Sequence, residues 1–350
     1  MNKLHLLLLL AVTFTLSSCK EEKDDVVPGE PGLGKGFFVV NEGNFTVGNS
    51  SLSFYNYDSA KMTNNLFYQV NNVPLGDVAT SMSFFRNMAF IVVNNSGIVY
   101  VVNGNTASFI SSITGLRSPR HIHVVNAERA YISDIQDDRL AVFNPLTLQF
   151  IDYIELGKTS EHMLSYHNKL FVGNWSDFYQ DAPNNTIQVV DVLTDQLVDS
   201  IVVTKEPNSM VFDKDNKLWV LCSGGFMGEE VPALYRINPQ DHVIEQIYHF
   251  DDETSSPQQL AINGSGDTLY FLNNGVYQMT ITATSLPASP LIGMGHRNFY
   301  SLAIEPSRSH VMVTDAVNYI QDGYVFRYKP DGTLIDSIGA GIIPGQIRFN

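Results

Sequence analysis

Two histidines pose the first chemical question. His121 in RHIHVV and His162 in EHMLSY each precede an apolar residue, 41 positions apart in otherwise similar strings. At equivalent places in neighbouring repeats they could share a metal or a ligand, or both be satisfied by water in a channel. A second polar set closes a series of apolar runs: Asn41, Asn94, Asp134, Asn174, Cys222, Asn273 and Asp315. Carboxamides donate and accept hydrogen bonds, which suits a ligand rich in amides or hydroxyls. Short polar side chains also bond nearby backbone at strand ends, and that role alone could select them. Cys222 reads as a small buried thiol rather than a reactive one. A third set is aromatic: Phe45, Trp175, Phe178, Tyr179, Phe226 and Tyr319, with Met227, lie in long polar stretches between apolar runs. Gathered on one rim, they would make a binding surface.

Catalytic signatures are missing from this inventory. The chain has no H-E-x-x-H, no G-x-S-x-G and no Cys-His-Cys cluster. DKDN (213–216) lacks the downstream Gly and Glu of a calcium loop, and reads as a solvated turn. GEPGLGKG (29–36) nearly matches a phosphate-cradling loop, but Gly36 replaces the required hydroxyl and no strand precedes it. A binder without catalytic activity, metal or cofactor is therefore expected.

The elements that must position these residues repeat. From Phe37 onward, short β-rich runs broken by Asn, Asp, Gly and Pro replace any helical period. Aligning TSMSFF, RHIHVV, EHMLSY, NSMVFD, QQLAIN, YSLAIE and GQIRFN gives apolar anchors at Met82, Ile122, Met163, Met210, Leu260, Leu302 and Ile347. Their spacings are 40, 41, 47, 50, 42 and 45. A second strand follows each anchor but the last, and the third and fourth are joined by turns such as NPLT and DVLT. A four-stranded meander cannot bury both faces alone, so the units must stack around an axis. The last anchor lacks its partners, while GFFVVNEG, SLSFYNY and NNLFYQV lack a first strand. The C-terminal strand is thus expected to complete the N-terminal blade. The pattern predicts an all-β, seven-bladed β-propeller over 37–350.

Two rings should then face one end. One is the residue before each anchor: Ser81, His121, His162, Ser209, Gln259, Ser301 and Gln346. The other is the Asn/Asp ring already described. Strands two and three should be joined by long loops in four blades, 41–51, 173–186, 222–233 and 315–323, and these carry the aromatics.

Before the propeller lies a different chemistry. Lys3 is followed by an almost wholly apolar Leu4–Leu16, too short to span a bilayer and laid out like a secretory signal. Ser17, Ser18 and Cys19 resemble a bacterial lipobox, which implies cleavage before Cys19 and lipid attachment to it. Residues 1–18 are then the signal and 19–36 a tether, beginning with KEEKDD, which is too charged to bury itself. A short acidic run after the lipidated cysteine resembles the Bacteroidetes signal for transfer to the outer face of the outer membrane. The net charge of −15 argues against nucleic-acid partners, whose phosphates demand Lys and Arg.

The N-P-x-T and V-D-x-x-T turns resemble those of YncE-like propellers with the quinoprotein-dehydrogenase type of blade. NEGNFTVGNSSLSFYN is similar to the opening of Bacteroidetes surface propeller lipoproteins, among them the BtuG family. That resemblance implies a surface lipoprotein that binds cobalamin and docks on a TonB-dependent transporter, touching the membrane only through its lipid. Another nutrient, a glycan or peptide, remains the alternative ligand, and a propeller hydrolase or dehydrogenase the alternative of a different class. Gluconolactonase-type propellers hold a metal with inner-strand carboxylates, and the Ser, His and Gln ring here departs from that pattern.

Overall fold

The computed structural model describes residues 32–350; the lipobox cysteine Cys19, the signal and the acidic tether lie outside the described residues. Residues Gly32–Asn350 form one compact unit of seven four-stranded antiparallel sheets. Blades two to seven span 79–113, 119–155, 163–202, 207–249, 258–293 and 299–342. Blade one is built from both ends of the chain, in the order Pro344–Phe349, Gly36–Asn41, Ser51–Asn56 and Lys61–Thr63.

The apolar alternation of the strands explains why the sheets stack. Seven buried apolar clusters lie one between each pair of neighbouring blades, so the blades' inner faces are covered on both sides. All seven anchors are buried in this core. Closure follows the same logic. Phe37 pairs with Phe349, and Val39 with Ile347, in the last cluster formed between blades seven and one. Asn350 seals the seam by accepting from the Gly36 N–H at 2.8 Å and donating to the Gly34 carbonyl at 2.9 Å.

The recurring turns between strands three and four have a common device. Asn144 accepts from the N–H groups of Leu146 and Thr147, and Asp191 from those of Leu193 and Thr194. Each is an Asx turn followed by a left-handed residue, Leu148 or Asp195. DKDN is a turn as expected, but a braced one. Asp213 accepts from the backbone of Asp215 and Lys217 and from the Trp219 indole at 2.8 Å.

One expected strand is a helix. NNLFYQV forms Leu66–Asn71, and the fourth strand of blade one is the short Lys61–Thr63. Leu66 and Phe67 are consecutive and both buried against blades one and two. A strand would point them to opposite faces; a helical turn sends both inward.

Candidate functional site

An antiparallel meander alternates direction, so the loops joining strands two and three share one end of the disc with the connections between blades. The long loops are where the sequence placed them, after the second strands of blades one, four, five and seven. They form two walls. On blades one and seven, Phe45, Val47, Tyr319 and Ile320 are exposed, and the Asn44 amide donates to the Tyr319 carbonyl, tying the loops together. On blades four and five, Phe178 and Phe226 meet edge-on at 6.1 Å beside exposed Tyr179 and Met227. Phe226 is 74% and Met227 80% exposed, far outside what a loop needs to pack on its own blade. Blades two, three and six have short loops and leave gaps between the walls.

The floor between the walls is charged. Arg120 of blade three donates from Nε to both carboxylate oxygens of Glu161, in the segment that enters blade four, at 2.9 and 2.7 Å. His121 Nε2 is 3.4 Å from the same carboxylate. Burial pushes Glu161 up, but the charge of Arg120 and the hydrogen bond and charge of His121 outweigh it and bring its pKa to about 2. Trp175 lies under the Arg120 guanidinium at 5.8 Å. On the other side, Tyr300 of blade seven donates to Glu42 at 2.9 Å. Burial raises Glu42 to about 7, and Arg120 and Tyr300 only partly counter it. His121 and His162 are brought together, edge to face, at 5.4 Å. Among the described residues no three His, Cys, Asp or Glu side chains form a group that could hold a metal.

Residues 35–331 match the family described as "Domain of unknown function (DUF5074)". The chain belongs to that family. This DUF5074 propeller is similar in fold to a quinonprotein alcohol dehydrogenase-like protein from Bacteroides thetaiotaomicron. The TM-score is 0.70 at 14% identity, over 91% of this chain and 79% of that one. A functionally unknown protein from Desulfotomaculum acetoxidans gives 0.64 at 13%, covering 90% and 98%. Apo AztD from Citrobacter koseri gives 0.57 at 10%, covering 89% and 96%. At these identities the likeness is one of fold alone. None of the curated proteins matches the chain.

Four members of the Asn/Asp ring of this DUF5074 chain are engaged by the fold. Asn41 donates to Ser51 and Ser53 and accepts from the Gly341 N–H. Asn94 donates to Ser118 and the Pro119 carbonyl, and Asn174 to the Thr159 carbonyl and Gln180. Asp134 accepts from the backbone of Arg117, Ser118 and Gln136. All four are buried; Asn94, Asp134 and Asn174 brace a strand end against an inter-blade segment, and Asn41 braces its strand end against the next strand of its own blade and against Gly341 in the last strand of blade seven. Asn273 is half-buried, and Cys222 is buried with its thiol pKa raised. Phe45, Phe178, Tyr179, Phe226 and Tyr319 are exposed on the walls, and Trp175 is half-buried between wall and floor.

The charged floor is what the sequence reading missed. It lies two residues before each anchor: Thr80, Arg120, Glu161, Asn208, Gln258, Tyr300 and Gly345. The ring one residue later is partly consumed in bonding the next blade, as Ser81 donates to the Arg120 carbonyl at 2.7 Å. Gly345 explains Glu42: a Cβ there would meet the Glu42 carboxylate at 2.4 Å, so this glycine leaves the space the side chain occupies.

Glu42 makes a pH-dependent prediction. Its folded pKa is raised from the ordinary 4.5 to about 7, so its contribution is fully present below 4.5 and lost as pH rises through 7. Glu42→Gln keeps an acceptor for Tyr300 and cannot ionise. The variant should gain stability over wild type between pH 4.5 and 8, by on the order of 3 kcal/mol. Urea denaturation at the two pH values checks it, and a difference that stays flat contradicts it.

Proposed function

We propose that this propeller is a non-catalytic capture protein that binds an amphipathic nutrient across the walled face, with cobalamin the favoured ligand. The observation that carries this reading is the confinement of Phe45, Tyr319, Phe178, Tyr179, Phe226 and Met227 to two opposed walls above a polar floor. A corrin is broad, apolar on its faces and fringed with amides. Its faces suit the aromatic walls, and its amides suit the acceptors and donors of Glu161, Arg120 and His121. Cobalamin itself comes from the resemblance of NEGNFTVGNSSLSFYN and the leader to surface lipoproteins. Another nutrient of the same amphipathic character, a peptide or glycan, would use the same face.

Aromatic anchors tend to carry most of the energy of such a site. Trp175→Ala and Tyr179→Ala should each weaken cyanocobalamin binding by about 2 kcal/mol, more than tenfold. Arg308→Ala, in the turn between strands one and two of blade seven and so at the opposite end of the disc, should leave it unchanged. Equal effects from both faces would refute the site.

The same reading makes the chain a lipoprotein anchored at Cys19, facing the cell exterior and delivering its ligand to a TonB-dependent transporter. Among the described residues no helix is long and apolar enough to cross a membrane. Cys19→Ala should abolish labelling by a palmitate analogue, since the described Cys222 is buried and the chain has 2 cysteines. Persistent labelling rules the anchor out.

A further inference from the structure

The seam between blades six and seven opens into a cavity of about 500 Å³ at the end of the disc away from the walls. One side of it is the second and third strands of blade six, Thr268–Leu272 and Gly275–Thr280. On the other side stand two turns of blade seven, one carrying Arg308 and Ser309, the other Pro330. The strand lengths explain the opening. Blade six has only Ile292–Gly293 as its fourth strand, paired with Gly275 and Val276, so residues 277–280 gain no outer strand partner. The volume falls within the range of small-molecule sites, about 300–1,000 Å³.

The side chains facing this space are polar, and two of them are unspent. Tyr270 lies opposite Gln278 across the two strands, and Thr268 opposite Thr280. The spacing of two keeps all four on one face of the sheet. Tyr270 is 3% exposed, its ring part of the apolar cluster between the two blades. Its hydroxyl makes no hydrogen bond among the described residues and is not sealed in the core, so it opens on the cavity. A buried phenol usually finds a partner in its own fold; this one has none. The half-buried Gln278 amide also has no hydrogen-bond partner among the described residues. The walls are preformed. Asn263 accepts from the N–H groups of Asp267 and Thr268, and the Ser309 N–H donates to the Glu305 carbonyl at 2.9 Å.

Only one lining side chain is charged. Arg308 is exposed, stands over the Tyr57 ring at 5.9 Å and forms no ion pair among the described residues. Glu305, three residues earlier, faces His310 at 3.2 Å instead. Asp267 accepts from Asn263, Ser265 and Thr268 and is not part of the lining. The chain carries 36 acidic residues against 21 basic ones, so a cavity with one cation and no carboxylate favours an acid. The guanidinium fork matches a carboxylate, while phenol, amide and threonine groups match hydroxyls.

We propose that this cavity binds a sugar acid, a polyhydroxylated ring bearing a carboxylate, with Arg308 on the carboxylate and Tyr270 and Gln278 on the ring hydroxyls. The site rests neither on the walled face nor on its ligand.

The test is calorimetric titration of the full chain with glucuronate, with glucose as the neutral counterpart, at constant ionic strength. Glucuronate should bind with a Kd of about 1 mM or tighter, and glucose about tenfold more weakly or less. Arg308→Gln changes an exposed side chain, and Tyr270→Phe removes a hydroxyl that bonds nothing in the fold, so both variants should fold. The first should weaken glucuronate binding about tenfold and the second about threefold or more. No heat with glucuronate, glucose bound as tightly, or an affinity that neither variant changes overturns the assignment. Glucuronate binding lost in Trp175→Ala but kept in Arg308→Gln would place the sugar on the walled face and overturn it equally. Failure of cobalamin to bind leaves the glucuronate result standing.

Discussion

Deleting residues 344–350 should cost this propeller most of its stability. The lost strand supplies the inner edge of blade one, pairing along Phe37–Asn41. It also removes Ile347 and Phe349 from the cluster that joins blades seven and one. Burial of two such side chains is worth about 1.5–3 kcal/mol each, before the strand's ladder of backbone hydrogen bonds is counted. A domain's whole margin is about 5–15 kcal/mol. Opening the ring also exposes the edge of Gly36–Asn41, which invites pairing between chains. The truncated chain should therefore melt at least 10 °C lower, or aggregate, by roughly the relation between free energy and melting temperature for large domains. A melting temperature within a degree or two of wild type would show that closure is not structural.

The second large effect is expected at Arg120. Arg120→Met removes both hydrogen bonds to Glu161 and leaves a mostly buried carboxylate facing only His121. Stranding one partner of such a pair typically costs about 3–5 kcal/mol. Much of that is the penalty of the orphaned charge, so Arg120→Met combined with Glu161→Gln should recover most of the loss. Urea denaturation of the two single variants and the double closes the cycle. A single variant within about 1 kcal/mol of wild type would mean that the pair is solvated and gives the floor no rigidity.

The architecture was legible because it repeats. Seven anchors at similar spacing marked seven first strands, and all seven are buried. The orphan GQIRFN at one end and the orphan GFFVVNEG at the other announced the shared blade. Long loops were legible from the chain length between apolar runs. NNLFYQV misled because its apolar residues suit a strand until Leu66 and Phe67 are seen to need the same side. The Asn/Asp ring was visible as a pattern, but a pattern cannot say whether a carboxamide faces a ligand or its own backbone. Here Asn41, Asn94 and Asn174 face backbone and neighbouring side chains. The floor had the opposite problem. Arg120, Glu161 and Tyr300 share a position but no chemistry, so no column of like residues marked it. The charges two places before the anchors in RHIHVV and EHMLSY were the available signal.

The measurement that bears most directly on the central claim is calorimetric titration of the full chain with cyanocobalamin at neutral pH. The account predicts saturable binding at one site per chain, with a Kd in the micromolar range or tighter, about −8 kcal/mol or below. Trp175→Ala and Tyr179→Ala should weaken it more than tenfold. No detectable heat with wild type at high micromolar ligand, or binding that both variants leave untouched, would contradict it.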